Sequence, residues 1–140
     1  MAASFYEFID HTADLGLIVR AGSKQELFER AAFSVFDIMI DLSTVEPKSI
    51  YRIEVTGEDR EELMVNWLNE LLFIHDARSV LLKIFDIREM GDRFLKAECR
   101  GEEFRHDVHR IRKEIKAATY HNILVSEDRT GWALRIIFDI

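Results

Sequence analysis

The sequence has little cysteine, proline and glycine, with one Cys, one Pro and six Gly in 140 residues. A single cysteine, Cys99, excludes an internal disulfide and a zinc site built from several cysteines, and it is typical of a protein of the reducing cytoplasm. There is no glycine-rich phosphate loop, no Gly-x-Ser-x-Gly, no His-Glu-x-x-His and no Cys-x-x-Cys. The common signatures of nucleotide-binding enzymes, serine hydrolases and zinc enzymes are therefore missing.

Basic residues are also in deficit, because 19 Lys and Arg face 26 Asp and Glu and give a net charge of -7. Such a chain repels phosphate backbones, so we expect no direct tight nucleic-acid binding and favour cations and basic partners. No apolar run approaches the roughly 18 residues of a membrane span, and we expect no leader segment, because no basic and apolar leader pattern appears at the start of the sequence. The sequence predicts a soluble cytoplasmic protein that does not contact membranes.

The composition is otherwise that of a folded chain, since 48% of the residues are hydrophobic and ten are Phe. Ser23 with Glu26, and Asp59 with Glu62, are capping-box patterns that open apolar stripes of helical period. They predict long helices over residues 23–41 and 59–78. Runs rich in β-branched and aromatic residues predict six or seven strands, namely 5–9, 15–20, 49–57, 80–90, 93–101, 114–128 and 131–140.

Most of these strands follow the second helix and are joined by short turns, such as Gly91-Asp92. We therefore expect a single α+β domain, a mostly antiparallel β-sheet of about six to seven strands packed by two long helices. Residues 104–112 form a polar loop in which His106 and His109 are three apart. Two histidines at this spacing could hold zinc, but no third ligand is evident, and a solvated loop is the simpler interpretation.

The stretch "IDHTADLG" at residues 9–16 places four polar side chains where a strand would otherwise continue. Asp and Thr often satisfy backbone N–H groups in Asx- and ST-turns, which is the structural interpretation. The alternative depends on the far end of the sequence, "RIIFDI", where Asp139 and the terminal carboxylate of Ile140 stand one residue apart. If that strand ends beside the first turn, both would meet Asp14.

Clustered carboxylates would need a cation, because two like charges about 4 Å apart cost roughly 4 kcal/mol at an effective dielectric near 20. A set of oxygen ligands selects hard ions such as Ca²⁺ or Mg²⁺ over zinc or copper. The hypothesis is a divalent-metal site built from Asp14, Asp139 and Ile140.

Along its whole length the sequence resembles the archease family. The resemblance is carried by "HTAD" at residues 11–14 followed by Gly16, "LFERAAFSVFDIM" in the first helix and "LLFIHD" at the end of the second. "EIKAATYHN" follows, and the sequence closes on "DI". No single motif is diagnostic, but the five in this order and spacing are specific, and they indicate one archease-like domain over residues 1–140.

This resemblance implies a non-catalytic role in tRNA processing. Archeases are known as activators of the RtcB-type tRNA-splicing ligase, promoting its guanylylation and its multiple turnover. The family's divalent ion, usually Ca²⁺, would be held here by Asp14, Asp139 and Ile140, with Mg²⁺ or Mn²⁺ as alternatives. The resemblance further implies that Lys116 and His11 serve activation of the partner. For Lys116, an exposed strand lysine without a special role is the competing interpretation.

Two other functions stay open. Some archeases are linked to a tRNA cytosine-5 methyltransferase as chaperone-like adaptors, which would require complex formation but no metal. A small metal-dependent hydrolase would use Asp14 and Asp139 to hold the ion and His11 as the base. The hydrolase is disfavoured because no separate nucleophile and base are evident in the sequence.

Overall fold

Eight strands and two helices make up the computed structural model, which describes residues 4–9 and 14–140. A short 3₁₀ turn at Leu42–Thr44 follows the first helix. The elements in chain order are β1 (Tyr6–Ile9), β2 (Leu15–Ala21), α1 (Lys24–Met39), β3 (Ser49–Thr56), α2 (Arg60–Arg78), β4 (Val80–Met90), β5 (Phe94–Glu103), β6 (Ala117–Ala118), β7 (Leu124–Asp128) and β8 (Gly131–Asp139).

Both helices begin as their local sequence predicts. The Ser23 hydroxyl accepts a hydrogen bond from the Glu26 backbone N–H, and the Glu26 carboxylate accepts one from the Gly22 N–H. At α2, the Asp59 carboxylate accepts from the Glu62 N–H at 2.8 Å. These bonds satisfy N–H groups that the first helical turn leaves without partners, so both helices start within one residue of the predicted position. No helix in the described part of the chain has the length and apolar character that a membrane crossing needs.

The strands form two antiparallel sheets, which confirms the α+β class with two helices. The first, sheet A, has the order β1-β2-β8-β6, and β7 also pairs with β8. The second, sheet B, has the order β3-β5-β4. Two separate sheets therefore take the place of the one sheet expected from the sequence. The reason is that β8 pairs with β2 near the start of the chain and with β6 and β7 near its end, whereas β3, β4 and β5 pair only among themselves.

The core lies where the helices pack on the sheets. α1 contacts β2 and β8 of sheet A and β4 of sheet B, and α2 contacts strands of both sheets as well. The Trp67 side chain of α2 is fully buried and its indole N–H donates to the Phe28 carbonyl of α1 at 2.9 Å. A buried tryptophan removes a large apolar area from water while its one polar group stays bonded. This contact fixes the two helices relative to each other.

The long strand predicted over residues 114–128 is wrong, because the segment forms two short strands. β6 pairs with β8 at Ala118↔Phe138, and β7 resumes at Leu124↔Arg135. Residues 119–123 therefore lie opposite only positions 136–137 of β8 and must leave the ladder. Asn122 takes the left-handed conformation with φ of 54°, which turns the chain back.

The loop after β5 is also unlike the solvated loop expected, because His109 is 4% exposed. Its Nδ1 accepts from the Arg105 backbone N–H at 2.9 Å, so Nε2 carries the proton in this geometry. Nε2 lies 3.0 Å from the Thr44 carbonyl and 3.1 Å from the carboxylate of buried Glu102. The Arg105 guanidinium donates to the same carboxylate at 2.9 and 3.1 Å. His109 thus anchors the loop to sheet B, and no zinc role is needed to explain it.

Candidate functional site at one end of sheet A

The pairing of β2 with β8 brings distant parts of the sequence to one end of sheet A. Leu15 pairs with Phe138 in the antiparallel register, so Asp14 directly precedes and Asp139 directly follows the last pair. Opposed residues in such a ladder lie about 4.5–5.5 Å apart at their Cα atoms. Asp14 is partly buried, and Asp139 and Ile140 are exposed. Asp14, Asp139 and Ile140 are therefore neighbours across the ends of two paired strands.

Lys116 reaches the same end from the other side of β8. Its backbone N–H donates to the Asp139 carbonyl at 2.9 Å, and Ala117 pairs with Asp139. Because β8 lies between β2 and β6, Asp139 has Asp14 on one side and Lys116 on the other. The Lys116 side chain is exposed and forms no ion pair among the described residues. We call Asp14, Lys116, Asp139 and Ile140 the sheet-end site.

Asn69 of α2 holds this short strand in place. Its side-chain amide donates to the Ala118 carbonyl at 3.1 Å and its side-chain oxygen accepts from the Ala118 N–H at 2.7 Å. Thr119 adds two bonds to the Ile137 carbonyl, from its N–H at 3.0 Å and its hydroxyl at 2.8 Å. Asn69 thereby pairs with β6 as a neighbouring strand would. The sequence contains one signal of this role, which is that Asn69 is a polar residue inside the apolar stripe of α2.

His11 belongs to residues 10–13, which lie outside the described residues, so its predicted role stays a prediction. Within residues 4–9 and 14–140, no group of three or more His, Cys, Asp or Glu side chains comes together as metal ligands. The sheet-end site supplies two side-chain carboxylates, Asp14 and Asp139, and the main-chain oxygens of Ile140. All of these donors are oxygen, which is the set that Ca²⁺, Mg²⁺ and Mn²⁺ prefer.

A cleft of about 600 Å³ lies elsewhere, between β1 and the end of α1. The Tyr6 hydroxyl donates to the Asp37 carboxylate at 2.7 Å within it. Burial and this acidic neighbour raise the pKa of Tyr6. The Arg112 guanidinium in the same cleft donates to the Asp37 and Ile40 carbonyls, so it is occupied at the end of α1. The polar groups of the cleft already satisfy one another, whereas Lys116, Asp139 and Ile140 of the sheet-end site are exposed.

Comparison with known proteins gives a consistent result over nearly the full chain. The model of the Archease protein family (MTH1598/TM1083) matches residues 6–140. The archease of Sulfolobus acidocaldarius is 38% identical over 136 residues, which cover 96% of this chain and 98% of that protein. The archease of Pyrococcus abyssi is 36% identical over 140 residues, with 96% and 98% covered.

Solved structures agree with the fold. The solution structure of protein 1598 of Methanobacterium thermoautotrophicum superposes with a TM-score of 0.82 at 38% identity, covering 97% of this chain and 99% of that one. A crystal structure from Thermotoga maritima, described as an archease and possible chaperone, has a TM-score of 0.65 at 23% identity over 94% of each chain. At that identity the second likeness concerns the fold alone. The family match and the relatives together establish that this chain belongs to the archease family.

Proposed function

We propose that this chain is a non-catalytic activator of an RtcB-type tRNA-splicing ligase, and that the sheet-end site is its working part. The observation that carries the proposal is the pairing of β8, which places Asp139 beside Asp14 at the end of β2 and opposite Ala117, with the Lys116 N–H bonded to the Asp139 carbonyl. Membership of the archease family supports the partner class. The acidic balance of the chain, with a net charge of -7, favours action through a protein over action on RNA.

The sheet-end site has the donor chemistry for a hard divalent ion, with Ca²⁺ first and Mg²⁺ or Mn²⁺ as alternatives. Asp14, Asp139 and the carboxylate of Ile140 would hold it with oxygen atoms only. A divalent ion neutralises phosphate charge during phosphoryl and nucleotidyl transfer, which is the chemistry of guanylylation. No side chain of this site is required to act as nucleophile or base.

The chain's own residues have two tasks in this mechanism. The paired ends of β2 and β8 hold the carboxylates at an exposed rim that can enter a partner's cleft. The Lys116 ammonium, exposed on the adjoining strand, would meet a partner carboxylate or a nucleotide phosphate at that rim. His11, in the adjoining "HTAD" motif, is proposed as a further contact to the partner.

Single-turnover guanylylation of a cognate ligase tests the function. We expect the chain to raise the rate, and Asp14→Asn to abolish the increase while circular dichroism and the thermal midpoint measured in chelator stay unchanged. Asp76→Asn is the matched control, because Asp76 is an exposed aspartate on α2. Equal rates with and without the unaltered chain would overturn the proposal.

A chaperone-like adaptor for a tRNA methyltransferase is the second candidate, favoured by the description of the Thermotoga maritima archease as a possible chaperone. This function predicts suppressed aggregation of the methyltransferase at equal strength for the unaltered chain and for Asp14→Asn. A metal-dependent hydrolase predicts turnover of a generic phosphoester by the isolated chain. Light scattering and a phosphoester panel therefore separate the three functions.

A further inference from the structure

Sheet B has two edge strands, β4 and β3, and in the part of the chain that the structure describes only the β4 edge is irregular and covered by other residues. The β4 edge has irregularities between Leu82 and Ile84 and between Ile87 and Glu89. It is also covered by α1, since Gln25 donates to the Ile87 carbonyl and Glu29 accepts from the Ile87 N–H. Bulges and covering side chains are the usual ways in which proteins close a sheet edge. The β3 edge has neither along most of its length.

The hydrogen-bond pattern shows which backbone groups of β3 face away from β5. The Gly57 N–H donates to the Arg93 carbonyl at 2.9 Å, so at Gly57 the backbone faces the chain that leads into β5. The register from Ser49 to Thr56 is unbroken, so backbone hydrogen bonding to β5 alternates along β3. The N–H and C=O groups of residues 50, 52, 54 and 56 therefore point away from β5. Asn66 of α2 confirms the phase, because its side chain donates to the Thr56 carbonyl on that outer side. Among the described residues, no other group bonds to the outward backbone atoms.

A groove of about 400 Å³ lies beside this edge, between β3 and α2, and its lining combines two apolar residues, Val55 and Phe73, with polar ones. Phe73 forms one wall and is 63% exposed, the largest exposed fraction among the large hydrophobic side chains described. The rest of the lining is formed by Val55, Thr56, Asn66, Asn69 and Glu70. On the opposite face of β3 the side chains of Arg52 and Glu54 are 75% and 73% exposed. A strand added to β3 would turn every second side chain toward the α2 side of the sheet, and the one beside Val55 and Thr56 would reach this groove.

We propose that the free edge of β3 and the Phe73 groove dock an extended segment of the partner enzyme, which adds to sheet B as a fourth strand. Strand addition obtains affinity from main-chain hydrogen bonds and specificity from pockets for alternate side chains. Phe73 and Val55 would contact an apolar side chain of the segment, and the Glu70 carboxylate in the same groove favours a basic residue beside it. The docking surface deepens the proposed function and rests on it, since the partner is the ligase.

A second copy of this chain fits the edge poorly. Two chains of net charge -7 repel each other. If β3 met another β3, the side chains aimed at the groove would be those that already face the copy's own α2. Of these, Ile53 is 3% exposed and the Tyr51 ring lies under Arg78 at 5.5 Å. Of the apolar side chains on this face, a copy has only the partly buried Val55 to offer, and Val55 already lines the copy's own groove.

Amide hydrogen exchange of the chain with and without a cognate ligase tests the proposal. In the free chain we expect fast exchange at Ile50, Arg52 and Glu54 and slow exchange at the bonded residues between them. Adding the ligase should slow the three fast amides at least tenfold. Protection that grows with the concentration of the chain alone would identify a second copy and overturn the proposal.

Two variants complete the test. Phe73→Ala should weaken ligase binding about tenfold, and Glu54→Pro, which removes an outward N–H that β5 does not use, should weaken it as much. Ile84→Ala, an exposed residue on the opposite edge strand, is the control and should bind within twofold of the unaltered chain. Activation with unchanged exchange and unchanged Phe73→Ala binding would overturn the docking surface alone. Absence of any ligase binding would overturn the proposed function as well.

Discussion

Glu102 is a carboxylate that is 1% exposed yet ionised, and its surroundings make the stability of the chain depend on pH. Burial by itself would raise its pKa, but hydrogen bonds from Arg105, from the Glu46 backbone N–H and from Lys48 lower the pKa from 4.5 to about 2. A carboxyl with a lower pKa in the folded state stabilises that state above its unfolded pKa and loses the contribution as pH falls. We expect this stabilisation to be complete above about pH 4.5 and to disappear as the pH falls toward 2.

Glu102→Gln tests this prediction. The variant should lose about 1–3 kcal/mol of unfolding free energy at pH 7, because the neutral amide is a weaker acceptor for Arg105 and Lys48 than the carboxylate. The loss stays in this range because both cations are partly exposed and water can hydrate them when the charge is removed. The difference between the unaltered chain and the variant should shrink as the pH is lowered from 5 to 2.5. Urea unfolding at several pH values measures it, with the exposed Glu127→Gln as control. A constant difference across this range would contradict the assignment.

Lys116 permits a separation of function from stability. Its side chain is exposed and forms no ion pair within the described residues, so Lys116→Ala should change the unfolding free energy by less than about 0.5 kcal/mol. Activation of the ligase should nevertheless fall at least tenfold if the ammonium meets a partner group. Lys113→Ala, an exposed lysine three residues earlier, should leave activation unchanged. Equal activation by both variants would return Lys116 to the interpretation of an ordinary strand lysine.

At the scale of elements, Asn69 is the side chain on which the position of β6 depends. Asn69→Ala leaves the N–H and the carbonyl of Ala118 without partners, which should cost about 1–3 kcal/mol. The strand that carries Lys116 should then loosen, and exchange of the Ala118 amide should accelerate. Asn66→Ala, one turn earlier on α2, loses one exposed bond and should cost about 1 kcal/mol or less. Thermal unfolding and amide exchange measure both effects, and equal costs would contradict the role of Asn69.

Sequence reasoning located the helices because their start signals are local. Ser23 and Asp59 bond to residues three positions away, so the pattern that creates the cap is visible in the sequence. The sequence pattern predicts one strand over residues 114–128 instead of β6 and β7, because the break between them depends on their pairing with β8, which lies later in the chain. The burial of His109 was missed for the same reason, since Thr44 is 65 residues away.

The sheet-end site shows the same division. The residue types of Asp14, Asp139 and Ile140 indicated a cation, but only the β2–β8 register brings the segments to one end of a sheet. The role of Asn69 was not predicted, because a helix polar residue can face solvent or a strand with the same sequence pattern. The sequence pattern therefore does not predict contacts between segments that are far apart in the chain.

At the scale of the whole molecule, β8 joins the candidate site to the core. Its residues Leu134, Ile136 and Phe138 are fully buried, and Asp139 directly follows them. The carboxylates are therefore held by a central strand between β2 and β6, and their spacing should change little when a ligand binds. A rigid, preformed cluster of like charges is the arrangement in which a cation adds most to stability.

Calcium should therefore stabilise the whole fold. A ligand that binds only the folded state adds about 2.7 kcal/mol at 100 times its dissociation constant, so the thermal midpoint should rise with Ca²⁺ concentration. The double variant Asp14→Asn with Asp139→Asn should be insensitive to Ca²⁺, whereas Asp76→Asn should respond like the unaltered chain. A rise of equal size in the double variant would show that Ca²⁺ binds elsewhere, and the sheet-end site would then have to act through its charge alone.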